Sequence, residues 1–223
     1  MKQIRNVIFD LDGVLVFTDS YHYRAWKRLA ERESIPFDES INHRLRGVSR
    51  CESLAVILEN AQRPYREEEK QAMMAQKNLW YRESLQALTP ADLPPEVVST
   101  LQALRARGCK LAVGSSSKNA GLILKKTGLD ALLDAVADGN DSANSKPAPD
   151  IFLIAAQKLG ADPAACLVVE DAPAGIHAGK AAGMRTAGIG AAKIGCDADD
   201  ALESLSDLLT LLPPLNETEE SQP

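Results

Sequence analysis

Cysteine is scarce and scattered: the four, Cys51, Cys109, Cys166 and Cys196, form no C-x-x-C pair. Zinc and redox motifs need close pairs, so these cysteines are read as core or surface thiols rather than ligands or bridges. No Lys/Arg-rich block is present, and 25 basic against 31 acidic residues leave a net charge of −6. An acidic chain of this kind makes nucleic acid and anionic membrane poor partners. Apolar stretches such as Asn6 to Phe9 and Leu208 to Leu212 are far too short to span a bilayer, so no membrane partner is expected. The opening Met-Lys-Gln-Ile-Arg has neither an apolar signal core nor an Arg/Ser-rich transit pattern, and the expected location is cytoplasmic. No internal repeat is visible. What is present is a 223-residue chain that is 45% hydrophobic and 25% charged. That composition excludes global disorder, and the length suits one large domain or a domain carrying an insert.

Ile4 to Phe9 is rich in β-branched and apolar residues, ends at Asp10, and reads as a buried strand. Beyond Gly13 the periodicity turns helical. Tyr21, Ala25, Trp26, Leu29 and Ala30 space out as one helix face, as do Leu54, Ile57, Leu58 and Ala61, and then Met73, Met74, Lys77, Trp80 and Tyr81. Pro36 and Pro64 punctuate these helices. Thr89-Pro-Ala-Asp-Leu-Pro-Pro95 reads as a stiff linker. After it, helices are expected over Val97–Arg107, Asn119–Thr127, Asp150–Leu159 and Ala174–Ala182, closed by Gly108, Gly128, Gly160 and Gly183. Strands are expected over Lys110–Gly114, Ala135–Ala137, Cys166–Val169 and, last, Arg185–Ile189. Strands alternating with helices of this length argue for an α/β fold, a Rossmann-like parallel sheet covered on both faces. An all-helical segment interrupts that core after its first strand, and the polar tail from Pro213 is expected to be disordered.

Ligands of an open parallel sheet bind outside the carboxyl ends of the strands. The first strand delivers Asp10-Leu11-Asp12-Gly13, the second Ser115-Ser116-Ser117-Lys118, and the fourth Glu170-Asp171, while Ser145-Lys146-Pro147 precedes a helix. Taken singly, an aspartate at a strand end is usually a cap and a Lys-Pro usually loop punctuation. Carboxylates, a hydroxyl and a lysine converging on one edge are what Mg²⁺-assisted phosphoryl transfer requires. Hard oxygens hold the ion, and lysine and metal together neutralise the phosphoryl oxygens. The glycines around Gly175 and Gly179 lack the spacing and the Ser/Thr of a P-loop, and Gly188-Ile-Gly190 lacks the third glycine of a dinucleotide fingerprint.

Asp10-x-Asp12-Gly13-Val14, Ser115, Lys146 and Glu170-Asp171 resemble the four motifs of the haloacid dehalogenase superfamily, in its branch with a helical cap. Tyr21-His22-Tyr23-Arg24-Ala25-Trp26, Leu45-Arg46-Gly47-Val48-Ser49-Arg50, Lys77-Asn78, Ser117-Lys118-Asn119 and Ser145-Lys-Pro-Ala-Pro-Asp150 are similar in particular to the β-phosphoglucomutases. The resemblance implies a catalytic core over 1–15 and 92–223, with a cap over 16–91. It implies interconversion of β-D-glucose 1-phosphate and β-D-glucose 6-phosphate through β-glucose 1,6-bisphosphate, on a monomeric enzyme that takes a phosphorylated hexose. Asp10 would be the phosphorylated nucleophile, Asp12 the general acid/base, and Ser115 and Lys146 would hold the transferring group. One Mg²⁺ would be bound by Asp10, Asp12 (through its carbonyl) and Asp171, with Glu170 nearby. The second phosphate would rest on Arg50, Ser117 and Lys118. His22, Trp26, Gly47, Val48, Ser49, Lys77 and Asn119 complete the expected substrate contacts, although Trp26 also fits a cap core and Lys77 a snorkelling side chain.

Two positions depart from that pattern. Phe17 stands where these families usually carry an acidic residue at the hinge into the cap, and Ala172 where a serine often follows the acidic pair. Rival readings remain at this level. A sugar-phosphate phosphatase would share Asp10, Asp12, Lys146 and Asp171 and pass the phosphoryl group to water. A phosphonoacetaldehyde hydrolase would need a Schiff-base lysine, with Lys77 as the candidate. A non-catalytic sugar-phosphate binder would have lost one of those four core residues, and none is missing.

Overall fold

A computed structural model describes residues 4–45, 47–195 and 197–214. Arg46, Cys196 and all but the first two residues of the expected tail lie outside that set. Six strands form one parallel sheet: β1 (Asn6–Phe9), β2 (Lys110–Gly114), β3 (Ala135–Ala137), β4 (Cys166–Glu170), β5 (Arg185–Ile189) and β6 (Asp200–Leu202), in the order β3-β2-β1-β4-β5-β6. Between β1 and β2 run α1 (Asp19–Arg32), α2 (Glu39–His43), α3 (Arg50–Leu58) and α4 (Glu67–Leu85). The remaining helices are α5 (Pro95–Ala106), α6 (Ala120–Thr127), α7 (Asp150–Leu159), α8 (Pro173–Ala181) and α9 (Leu208–Leu211).

The central strands are buried on both faces because their side chains alternate between two apolar layers. Val7, Phe9, Leu111, Val113, Leu167 and Val169 face Val97, Leu101 and Leu104 of α5 and Ile123 and Leu124 of α6. Ile8, Ala112 and Val168 face the other way, onto Ile151, Phe152, Ala155 and Ala156 of α7. Truncating a side chain such as Leu111 to Ala would cost about 2–5 kcal/mol. The helical insert has a separate apolar cluster, in which Trp26 and Leu29 of α1 meet Leu54 and Ile57 of α3 and Met73 and Met74 of α4.

Register places Asn6 opposite both Lys110 and Cys166, so β1 is flanked by β2 and β4. Chain order runs outward to β3 on one side and to β6 on the other, which makes the β1/β4 boundary the switch point of the sheet. Gly128 and Gly160, both with positive φ, close α6 and α7 as expected. One expectation needs correcting. Arg185–Ile189 is not the last strand: Asp200–Leu202 adds a sixth, paired through Ala187–Asp200. Three residues are too few for periodicity to stand out. The stiff linker also contains one 3₁₀ turn at Pro90–Asp92, stapled by Asp92 accepting from the Thr89 backbone and hydroxyl at 2.8 Å each. No helix among the described residues is long and apolar enough to cross a membrane.

Candidate active site

Asp10 continues β1 by donating its amide to Val169 O at 2.9 Å, and the chain then turns sharply, with Gly13 N donating to Val16 O at 2.8 Å. Gly13 has φ +86°, and a Cβ there would lie 2.2 Å from Asp171 Oδ2. Only glycine permits both the turn and that approach. Lys146, 1% exposed, puts Nζ at 2.5 Å from Asp10 Oδ1 and 2.5 Å from Glu170 Oε1; its peptide bond to Pro147 is cis. The other Glu170 oxygen accepts from the Ala172 amide at 2.9 Å. Carboxylate oxygens of Asp10, Glu170 and Asp171 lie within 4.8 Å of one another.

Burial pushes Asp10 well above the ordinary carboxylate range; the Lys146 charge opposes this, while Glu170 and Asp171 add to it. Burial also works against the Lys146 ammonium, but Asp10 and Glu170 outweigh it and hold that lysine above its ordinary value. Three carboxylates around one ammonium leave negative charge in excess, and a hard dication in the Asp10–Asp171 corner would offset it. The donor set therefore fits Mg²⁺. Glu170, with one oxygen bonded to Lys146 and the other to the Ala172 amide, stays within the same group of carboxylate oxygens as Asp10 and Asp171.

Asp12 belongs to a second set of groups. Its carboxylate accepts from Thr18 Oγ1, and Thr18, fully buried, lies 3.0 Å from the Tyr81 hydroxyl. Burial raises Asp12 to about 6, while the hydrogen bond from Thr18 restrains the rise. On α4, Lys77 is 2% exposed, with Nζ 2.8 Å from His22 Nδ1 and over the rings of Trp26 and Tyr81 at 4.7 and 4.6 Å. Burial and then the Arg50 charge pull Lys77 well below the usual lysine range. His22 is lowered as well, by burial and then by Lys77 and Arg50. The pair therefore favours sharing one proton or none over carrying two charges.

Arg50 opens α3, where Ser49 and Glu52 form a capping box: the Ser49 amide donates to Glu52 at 2.9 Å and the Glu52 amide to Ser49 Oγ at 3.3 Å. The guanidinium is partly buried, and burial lowers its pKa. The neighbouring Arg44 is spent on a bidentate surface pair with Glu59, at 2.8 Å for each bond.

A cleft of about 580 Å³ brings these parts together. Asp10, Asp12, Ser115, Ser117, Lys118, Asn119 and Asp171 line its sheet side, and His22, Trp26, Gly47, Val48, Ser49, Arg50 and Lys77 its helical side. Lys146 and Glu170 lie beneath Asp10, outside the lining. The Asn119 amide is engaged by the helical side: Nδ2 donates to Asn78 Oδ1 at 2.9 Å and Oδ1 accepts from Arg82 at 3.3 Å. Phe17, at the unusual hinge position, is 60% exposed. Sequence reasoning overlooked Thr18 and Tyr81. Periodicity puts Tyr81 on the same helix face as Lys77 but gives it no role at the site, and nothing local marks Thr18 as a partner of Asp12.

The family model of haloacid dehalogenase-like hydrolases matches residues 4–183, and the chain belongs to that family. It is 44% identical over 207 residues to the beta-phosphoglucomutase of Bacillus subtilis (strain 168), covering 92% of each chain. The crystal structure of beta-phosphoglucomutase from Clostridium difficile superposes with a TM-score of 0.87 at 38% identity, over 92% of this chain and 93% of that one. A fructose-1-phosphate phosphatase of Escherichia coli (strain K12) is 32% identical over 184 residues, 82% of this chain and 95% of that one.

Proposed function

We propose that the protein is a β-phosphoglucomutase, interconverting β-D-glucose 1-phosphate and β-D-glucose 6-phosphate through β-glucose 1,6-bisphosphate. The observation that carries this reading is the two-ended cleft. Asp10 and Ser115, with Lys146 bonded to Asp10 from outside the lining, would form one phosphate pole, and Arg50, Ser117 and Lys118, which line the same cleft, would form a second, cationic one. A phosphatase acting on a monophosphate needs only the first. The 44% identity to a beta-phosphoglucomutase supports the same choice.

In the forward direction phosphorylated Asp10 loses its phosphoryl group to the 6-hydroxyl of β-glucose 1-phosphate. The P–O bond to Asp10 breaks, a P–O bond to the sugar forms, and Asp12 takes the hydroxyl proton. The bisphosphate then reverses its orientation between the two poles. The Asp10 carboxylate attacks the 1-phosphate, and Asp12 returns its proton to the departing sugar oxygen. An acid/base near pKa 6 suits both proton transfers at neutral pH. Ser115 and Lys146 hold and neutralise the moving phosphoryl oxygens, while residues 16–91 act as a cap that keeps water out. Asp10, Asp171, the Asp12 carbonyl and Glu170 would hold Mg²⁺, which would supply further charge neutralisation at the phosphoryl oxygens.

The test is a coupled assay for glucose 6-phosphate from β-glucose 1-phosphate with Mg²⁺ and a trace of the bisphosphate, with free phosphate followed in the same tube. Glucose 6-phosphate in large excess is the expected result. Free phosphate alone would replace the mutase by a sugar-phosphate phosphatase, and neither product would mean a different substrate.

A further inference from the structure

The loop from β2 to α6 serves two neighbours. Ser115 and Ser117 brace it from within: Ser117 N donates to Ser115 Oγ at 3.1 Å, and Asn119 N donates to Ser117 Oγ at 3.2 Å. These short side-chain turns hold the loop in one shape. Ser116 and Asn119 bond instead to the helical insert. Ser116 Oγ donates to Gly47 O at 3.4 Å. Asn119, 4% exposed, donates to Asn78 and accepts from Arg82, residues one turn apart on α4. Buried and bonded at both ends of its amide, Asn119 joins core and insert without an unsatisfied group.

Both contact points lie next to groups that face the reaction. Asn78 and Arg82 each directly follow, on α4, a residue turned to the site: Lys77, bonded to His22, and Tyr81, bonded to Thr18. Gly47 leads through Val48 and Ser49 to Arg50, and its own fit is close, since a Cβ there would meet Ala172 Cβ at 3.0 Å. One rigid loop thus carries the phosphate-facing serines and also sets the position of two segments of the insert.

We propose that Ser116 and Asn119 are positioning residues, a two-point clasp that holds the insert over the cleft and sets how much of the phosphoryl group passes to sugar rather than to water. This rests on the mutase reading. Neither residue exchanges a proton or a group with substrate in this role; both act through Gly47 and α4.

The experiment uses the full chain with Asn78→Ala and Ser116→Ala, measured with β-glucose 1-phosphate, Mg²⁺ and a trace of bisphosphate. The readout is the ratio of free phosphate to glucose 6-phosphate, which does not depend on the fraction of folded enzyme. Loss of one such hydrogen bond is expected to raise that ratio about fivefold in each variant. Asn78→Asp, which keeps an acceptor for Asn119, is expected to return close to the wild-type ratio. Hydrogen exchange of the connecting backbone at 16–18 and 86–94 gives a second readout that needs no substrate, with faster exchange expected in both alanine variants. An unchanged ratio and unchanged exchange would overturn the clasp and leave the mutase standing. If the wild-type protein releases only phosphate, the mutase reading fails, and exchange alone then decides the clasp: acceleration supports it and its absence overturns it.

Discussion

Replacing Gly175 with alanine sets two effects against each other. Gly175 sits in the first turn of α8, and alanine in place of glycine within a helix gains at most about 1 kcal/mol. However, a Cβ at Gly175 would lie 1.8 Å from Glu170 Oε1 and 2.0 Å from its Cδ. Ordinary contact needs about 3.5 Å, so the carboxylate must move by roughly 1.5–2 Å. That shift breaks its bonds to Lys146, at 2.5 Å, and to the Ala172 amide, at 2.9 Å. Breaking a buried ion pair by losing one partner costs about 3–5 kcal/mol, and the low end applies because Asp10 still faces Lys146. The net expectation is destabilisation by about 2–3 kcal/mol together with loss of activity, since Lys146 and the metal corner lose their support. Urea unfolding followed by circular dichroism measures it. The control is Gly121→Ala in the first turn of α6, where a Cβ meets nothing within 4 Å and a small gain in stability is expected. A Gly175→Ala protein as stable and active as the original would refute the idea that Glu170 is held rigidly against α8.

Mg²⁺ with beryllium fluoride, a phosphoryl mimic, should raise the melting temperature of the wild-type protein, and chelation of Mg²⁺ or Asp10→Asn should remove that increment; persistence in Asp10→Asn would take Asp10 out of the nucleophile role. The acidic limb of the rate profile should fall near pH 6, because Asp12 must be ionised to accept the hydroxyl proton and its pKa is about 6. Thr18→Val removes the donor that stabilises that carboxylate, so the limb should move to higher pH, by about half to one unit for a hydrogen bond of ordinary worth; a shift to lower pH would contradict the assignment. Lys77→Met should lower activity yet stabilise the fold. The buried lysine binds its proton less well than in the unfolded chain, so the unfolded state holds more protons between the two pKa values and stability rises with pH across that window. Denaturation at several pH values should show this slope flatten in Lys77→Met.

Much of the architecture was legible because its signals are local. The strands at Asn6–Phe9, Lys110–Gly114 and Cys166–Glu170 carry continuous apolar stretches at Val7–Phe9, Leu111–Val113 and Cys166–Val169, as strands buried on both faces do. The closing glycines marked helix ends to within a residue or two. The short strand at Asp200–Leu202 escaped because its only support is pairing with β5. At the site, the motif residues could be assembled because Asp10, Asp12, Ser115, Glu170 and Asp171 stand at or just past the carboxyl ends of strands, and Lys146 lies in the loop that leads from β3 to α7, where topology gathers them. Thr18 and Tyr81 could not, since nothing near them in sequence announces that they end beside Asp12.

The sequence by itself determined the parallel sheet, the helical insert after β1, and the identity of the groups brought to one edge, because periodicity and residue chemistry are properties of short segments. Only the tertiary structure decided how those groups share their charges and partners. It bonded Glu170 to Lys146 and to the Ala172 amide, paired the buried Lys77 with His22, and turned the Asn119 amide toward α4. These outcomes depend on distances of a few ångströms between residues far apart in the chain and on how far burial weakens solvation. Both are set by packing, to which no local pattern has access.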